Sequence, residues 1–246
     1  MIDLHCHILP GIDDGPSDIE TSIRMSKIAA DDGITHIVAT PHFKYNEKPT
    51  IDDIKDRLKM LEERVNKENI RVKFSSGADI GLTYELTYGI DKNEIPTING
   101  SRYFLLELPN IIPPNLDNFL FTAELKGFVP IITHPERNYS LLSFPEKMEA
   151  LRDSGALFQL TAMSITGEFG TPIKKFSQML LKKGFIDFVA SDAHSAGWRN
   201  PVLSSAYWEI TELFDEDEAQ RIFLKNPLAV VENREISKKK KVRSKE

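Results

Sequence analysis

Cysteine is nearly absent from this 246-residue chain: Cys6 stands alone, which excludes an internal disulfide framework and leaves folding to a hydrophobic core. No apolar run is long enough to span a bilayer, and the first residues form no charged-then-apolar leader. A cytoplasmic protein with no stable membrane insertion is the expectation. Basic residues are also short, 31 against 37 acids, for a net charge of −6. The deficit is uneven. Residues 237–246 carry Lys238, Lys239, Lys240, Lys241, Arg243 and Lys245 against Glu246, which leaves about −11 on the body. So acidic a body lacks the clustered Lys and Arg of a phosphate-backbone groove, so nucleic acid is not an expected partner.

What is there is one substantial core's worth of apolar residues, 41% of the chain, enough for a single domain. Strand-like runs at Ile2–Leu4, Ile34–Ala39, Ile70–Phe74, Tyr103–Leu108, Val129–Ile132, Ala156–Leu160 and Ile186–Ala190 alternate with helix-like segments. That alternation predicts a parallel sheet with crossover helices. Ile51, Ile54, Leu58, Leu61 and Val65 share one helical face behind a Thr50 cap, and Asp18 and Gly33 bracket an earlier helix. Further helices are expected near Asn115–Lys126, Pro145–Asp153, Pro172–Lys183, Pro201–Phe214 and Glu216–Phe223. The basic run 237–246 reads as a disordered, solubilising tail behind a domain of residues 1–236.

The polar residues then fall into a pattern. His5 and His7 follow the first strand, His42 the second, Asp79 the third; Glu107 ends the fourth, His134 follows the fifth, and Asp192 with His194 follow the seventh. All lie at carboxyl ends of strands, where parallel α/β barrels assemble active sites. In a strand, residues two apart point the same way, so His5 and His7 can reach one ion while Cys6 faces the other side. With Asp14 the set holds nine imidazoles and carboxylates, too many for one tetrahedral ion. Without a thiolate it suits Mn²⁺, Fe²⁺ or Zn²⁺ in a multinuclear site. Cations about 3.5–4 Å apart can bridge a hydroxide and clamp the oxygens of a displacement at phosphorus.

The residues that carry a resemblance are His5-Cys-His-Ile-Leu-Pro-Gly-Ile-Asp-Asp-Gly15, Val38-Ala-Thr-Pro-His42, Leu106-Glu-Leu-Pro109, His134-Pro-Glu-Arg137 and Ser191-Asp-Ala-His194. Over roughly residues 1–236 the chain resembles the PHP (polymerase and histidinol phosphatase) phosphoesterases. Within them it is most similar to the metal-dependent protein-tyrosine phosphatases of bacterial capsule and exopolysaccharide synthesis. The resemblance implies a distorted (β/α)₇ TIM-like barrel with three metals, Mn²⁺ foremost, and hydrolysis of protein phosphotyrosine by a metal-bridging hydroxide. It implies one ion on His5, His7, Asp79 and Asp192, a second on Asp79, Glu107 and His134, and a third on Asp14, His42 and His194. Asp79 departs from the pattern, which has glutamate there. Arg137 and Arg199 match phosphate-binding arginines, the alternative being surface salt bridges. The implied partner is the tyrosine-rich tail of a bacterial tyrosine autokinase.

Other residues are expected to be structural. A cysteine phosphatase needs a C-x₅-R loop, and the sixth residue after Cys6 is Ile12, so Cys6 is a buried filler. Asp13 is expected to serve the turn at Gly15, and His36 to lie in the core or under a helix. Phe43, Tyr45 and Phe169 either wall the site or pack its rim. Two rivals stand beside phosphotyrosine hydrolysis: a small phosphate monoester of the histidinol phosphate kind, or a metal-stabilised regulatory binder without turnover.

Overall fold

A computed structural model describes residues 1–236; the expected basic tail, 237–246, lies outside the described residues. Nine strands appear where seven were expected. They are β1 (Ile2–Cys6), β2 (His36–Ala39), β3 (His42–Phe43), β4 (Lys73–Ser76), β5 (Asp79–Gly81), β6 (Tyr103–Glu107), β7 (Val129–Thr133), β8 (Leu157–Thr161) and β9 (Phe188–Ala190). The two additional strands, β3 and β5, lie beyond the ends of the second and third expected ones. Pro41 has no N–H to give to a ladder, so β2 stops at Ala39 and β3 resumes at His42. Beside it β4 gives way to β5 across Gly77-Ala78, with Gly77 N–H donating to Ala39 O and Asp79 N–H to Pro41 O. The third strand also starts later than Ile70, because Ile70 N–H is taken by Val65 O in the turn that ends the preceding helix.

Every pairing is parallel. One sheet runs β1-β2-β4 and the other β3-β5-β6-β7-β8-β9, so the broken pairs count as single staves and seven staves result. His7 N–H donates to Ala193 O and Asp192 N–H to His5 O, both at 2.8 Å, and Cys6 bridges Ala193. The first and last staves therefore meet, as in a distorted (β/α)₇ barrel of the TIM type.

Between them run α1 (Ile19–Asp31), α2 (Ile51–Lys67), α3 (Leu86–Lys92), α4 (Leu116–Leu125), α5 (Tyr139–Ser143), α6 (Lys147–Asp153), α7 (Ala162–Thr166), α8 (Thr171–Lys182), α9 (Ser204–Leu213), α10 (Glu216–Gln220) and α11 (Asn226–Val231). Asp18 caps α1 and Thr50 closes a capping box with Asp53 on α2, as the spacing predicts. The interior floor is apolar: Leu4, Leu105, Ile131, Leu157 and Phe188 cluster with Val230 and Val231 of α11. Glu107, Thr133 and Gln159 lie two residues further along their strands and so share that inward face. On β1 the register against β2 slips, three steps from Asp3 to Cys6 matching two from Ile37 to Ala39. This bulge lets the neighbours Leu4 and His5 both face inward, a re-aiming common beside active sites.

Candidate metal centre

The nine side chains singled out by sequence converge above that floor. His5 Nε2 stands 3.5 Å from Asp79 Oδ2 and from Asp192 Oδ1, and His7 Nε2 3.6 Å from Asp192 Oδ1. His42 places Nδ1 3.6 Å from Asp79 Oδ2 and 3.7 Å from Glu107 Oε2, and its Nε2 3.6 Å from Asp14 Oδ1. His134 Nε2 is 3.6 Å from Glu107 Oε1, and His194 Nε2 3.3 Å from Asp14 Oδ1. Three groups have ligand atoms close enough to share an ion: His7-Asp14-His42-His194, His5-His7-Asp192 and His42-Asp79-Glu107. This grouping differs from the implied partition: His42 and His7 each belong to two groups, Asp79 belongs to one, and His134 to none. The two nitrogens of His42 explain its double membership, one facing Asp14 and the other Asp79. Burial is graded: His5, His7, Asp79 and Asp192 are sealed, while the side chains of Asp14 and His42 are 62% and 41% exposed.

Hydrogen bonds on the far ring atoms set the tautomers. Gln159 Oε1 lies 2.8 Å from His5 Nδ1, and the Gln159 amide donates to Leu160 O, so His5 Nδ1 is the donor. His7 Nδ1 donates to Asp13 Oδ2 at 2.7 Å and His194 Nδ1 to Asp192 O at 3.0 Å. All three therefore turn Nε2 lone pairs into the cluster. The lone pairs of the buried His5 and His7 face each other at 3.0 Å, an arrangement that repels unless a cation lies before them. Asp79 Oδ2 has no hydrogen-bond partner among the described residues and is 1% exposed. An orphaned carboxylate oxygen within 4.0 Å of ring nitrogens of His5, His42 and His134 fits divalent cations.

The backbone is strained where these groups are aimed. His134, Asp192 and Arg199 have φ of 36°, 52° and 61°, left-handed values that cost non-glycine residues of order 1–3 kcal/mol each. Gly15 is required by contact, since a Cβ there would stand 2.4 Å from His7 O. Asp192 is the electrostatic centre. Burial alone would push its carboxyl up, but His5, Arg137, His134 and Arg199 outweigh that and hold it below the usual carboxylate range. Arg137 pairs with Asp192 Oδ2, and Arg199 reaches the same oxygen at 2.9 Å. The salt-bridge alternative is thus present, but with a member of the cluster rather than on the surface. Both guanidiniums line a cleft of about 480 Å³ together with Asp14, His42, Lys44 and Glu107.

Several expectations change. Asp13 does receive Gly15 N–H at 3.0 Å, as a turn residue would, but its other oxygen holds His7 Nδ1 and accepts His42 N–H at 3.0 Å. It orients two of the nine residues. Gln159 and Asp3 were not singled out. Asp3 takes Ser191 N–H and Oγ–H at 2.9 and 2.5 Å and so fixes the backbone beside Asp192. A polar residue inside an apolar strand run was the available signal for both. Phe43 and Tyr45 are buried; Phe43 lines a depression that shares Asp14, His42 and Glu107 with the cleft, while Tyr45 donates to Glu94 at 2.7 Å. Phe169 lies under Arg137, 5.1 Å from its guanidinium carbon, and meets Trp198 edge-on. His36 stands apart, bonded to Ser75 at 2.9 Å, and Cys6 is buried.

A family model for capsular polysaccharide synthesis proteins, CpsB/CapC, matches residues 1–232. The chain belongs to the CpsB/CapC family. It is 35% identical to tyrosine-protein phosphatase YwqE of Bacillus subtilis (strain 168) over 221 residues, 88% of this chain and 86% of the relative. It is 35% identical to putative tyrosine-protein phosphatase CapC of Staphylococcus aureus over 240 residues, 97% and 94% of the two chains. Among solved structures, one from crystallographic work on YwqE of Bacillus subtilis and CpsB of Streptococcus pneumoniae, described as metal-dependent tyrosine phosphatases, superposes with a TM-score of 0.92. It is 33% identical and covers 97% of each chain.

In this CpsB/CapC member burial governs the titration of the site. It lowers His7 to about 3 and depresses His134 and His194; burial and then the Glu107 charge raise Asp79 well above the usual carboxylate range. A depressed histidine contributes fully above its unfolded pKa of about 6.5 and loses that contribution as pH falls toward its folded value. Asp79 runs the other way, holding a proton that a cation must displace. The rise in melting temperature on adding Mn²⁺ is therefore expected to be small near pH 5 and to grow toward pH 7.5. Melting curves with and without Mn²⁺ measure it. His7, titrating near 3, is already neutral across that range, so a rise that stayed constant would mean that no proton on Asp79 competes with the cation.

Proposed function

We propose that this protein hydrolyses phosphotyrosine in a protein substrate, using three divalent cations, Mn²⁺ foremost with Fe²⁺ or Zn²⁺ as alternatives. The observation that carries the reading is the convergence of His5, His42 and His134 ring nitrogens within 4.0 Å of the unpartnered Asp79 Oδ2, with Arg137 and Arg199 on the neighbouring Asp192, in a CpsB/CapC chain. His5, His7, Asp79 and Asp192 would hold the buried ion; Glu107 and His134 join Asp79 for a second; Asp14, His42 and His194 hold the outer one. When bound, the cations acidify water and offset the negative charge of the phosphate.

The chain's own residues do the rest. Arg137 and Arg199 present planar forks to phosphate oxygens and are pre-aimed by their common pairing with Asp192. Phe169 under Arg137 fixes one of those forks from below. Tyrosine leaves as a phenolate with a pKa of about 10, so the demand for a strong general acid is lower than for an alkyl ester. Asp13 and Gln159 hold the His7 and His5 rings correctly turned. The partner this reading implies is a bacterial tyrosine autokinase of polysaccharide export, met in the cytoplasm. No described helix is long and apolar enough to cross a membrane.

Release of phosphate from a phosphotyrosyl peptide by metal-loaded protein tests the reading, and no release would end it. The arginines give a sharper measurement. Each charge-assisted contact is worth about 1.5–3 kcal/mol, so Arg137→Ala and Arg199→Ala are each expected to lower kcat/KM about 10- to 100-fold. Metal content is expected to hold, because the remaining arginine still pairs with Asp192. Wild-type kinetics in both variants would reduce these residues to salt bridges.

A further inference from the structure

Beside the cleft lies a second depression of about 340 Å³, bounded by the chain after β5, the chain after β6 and the start of α4. Leu82, Thr83 and Pro109 line both, so the two are continuous. Their chemistry is opposite. The cleft is walled by Asp14, Lys44, Glu107, Arg137, Asp192 and Arg199, whereas no lining residue of the groove is charged. Phe119 of α4 forms part of its base and is buried. At its lip Tyr84 and Ile111 are 71% and 80% exposed, and the Tyr84 ring is braced edge-on by Tyr88 at 5.8 Å. Large apolar side chains left in water next to an ionic cleft mark a surface built for contact.

We infer that this groove seats an apolar or aromatic side chain of the substrate polypeptide, close in sequence to the phosphotyrosine, and so sets sequence preference. The inference rests on the phosphotyrosine reading above. Its occupant follows from continuity: a chain advances about 3.3–3.6 Å per residue when extended. With the phosphate held at the arginines, a neighbouring side chain one or two residues away reaches across Leu82 and Pro109. A small phosphate monoester has nothing to place there. Burying one apolar side chain distinguishes substrates by about 10- to 200-fold at most in such pockets, so the preference is moderate and graded.

The test compares three substrates with metal-loaded protein: free O-phosphotyrosine, a phosphotyrosyl peptide with leucine and phenylalanine within two residues on either side, and the same peptide with serine there. The wild type is expected to favour the apolar peptide over the serine peptide by about tenfold in kcat/KM. Ile111→Ser and Tyr84→Ser are expected to bring the apolar peptide down to the serine peptide, leaving the serine peptide and free phosphotyrosine unchanged. Both positions are exposed, and an unchanged melting temperature confirms folding. Equal rates on the two peptides in the wild type, or equal losses on both in the variants, overturn the groove while phosphotyrosine turnover stands. If Ile111→Ser dissociates a dimer and leaves the peptide ratio intact, the groove is a self-interface and the proposal falls. No turnover of any substrate removes the phosphotyrosine reading itself.

Discussion

Chelation is expected to abolish phosphate release, and Mn²⁺ to restore it, whereas a thiol alkylator leaves the rate unchanged. Removing even one preorganised donor from a reacting centre costs about 10²–10³ in kcat, so loss of the cations costs at least that. The loss is expected in two phases. Asp14 and His42 stand open to solvent while His5, His7, Asp79 and Asp192 are sealed, so the outer ion leaves before the inner ones. Activity followed beside metal content by mass spectrometry separates the phases. Alkylation fails for two reasons: Cys6 is fully buried, and burial pushes its thiol well above the ordinary range. A full rate in protein verified as metal-free would sink the mechanism.

The placement of the cluster was legible because strand ends are marked in the sequence: eight of the nine residues end or follow a strand-like run, and Asp14 lies in the loop after the first. What periodicity could not supply is the geometry between staves. Nothing local separates Asp13 from an ordinary turn residue beside Gly15; its second oxygen finds His7 and the His42 amide only once β1 and β3 lie together. The same holds for the bulge that turns His5 inward next to Leu4, which exists only against the register of β2. Phe43 and Tyr45 were ambiguous for a related reason, since an aromatic residue reads alike in a rim and in a core. Gln159 was readable in principle. A glutamine between Phe158 and Leu160 is costly to bury without a partner, and its partner is His5.

Asp79 carries the other large effect. Its Oδ1 accepts Thr133 Oγ–H at 3.2 Å, while Oδ2 is left facing His5 at 3.5 Å, His42 at 3.6 Å and His134 at 4.0 Å. One oxygen within 4.0 Å of three imidazoles could serve the proposed bridge between two ions. Asp79→Ala is therefore expected to lower metal content and activity together, the latter by about 100-fold or more. Stability distinguishes a ligand from a packing residue. In the metal-free protein the buried carboxyl is desolvated and raised, so its removal costs little or even stabilises. In the presence of Mn²⁺ the variant lacks most of the wild type's rise in melting temperature, because that rise follows occupancy. Asp79→Glu restores the residue the resemblance implies at this position. It is expected to stay within a few-fold of wild type, the added methylene costing about 1–3 kcal/mol where it crowds Thr133. An alanine variant that kept its metal, its Mn²⁺-dependent stabilisation and its full rate would place the bridge elsewhere at the end of this stave.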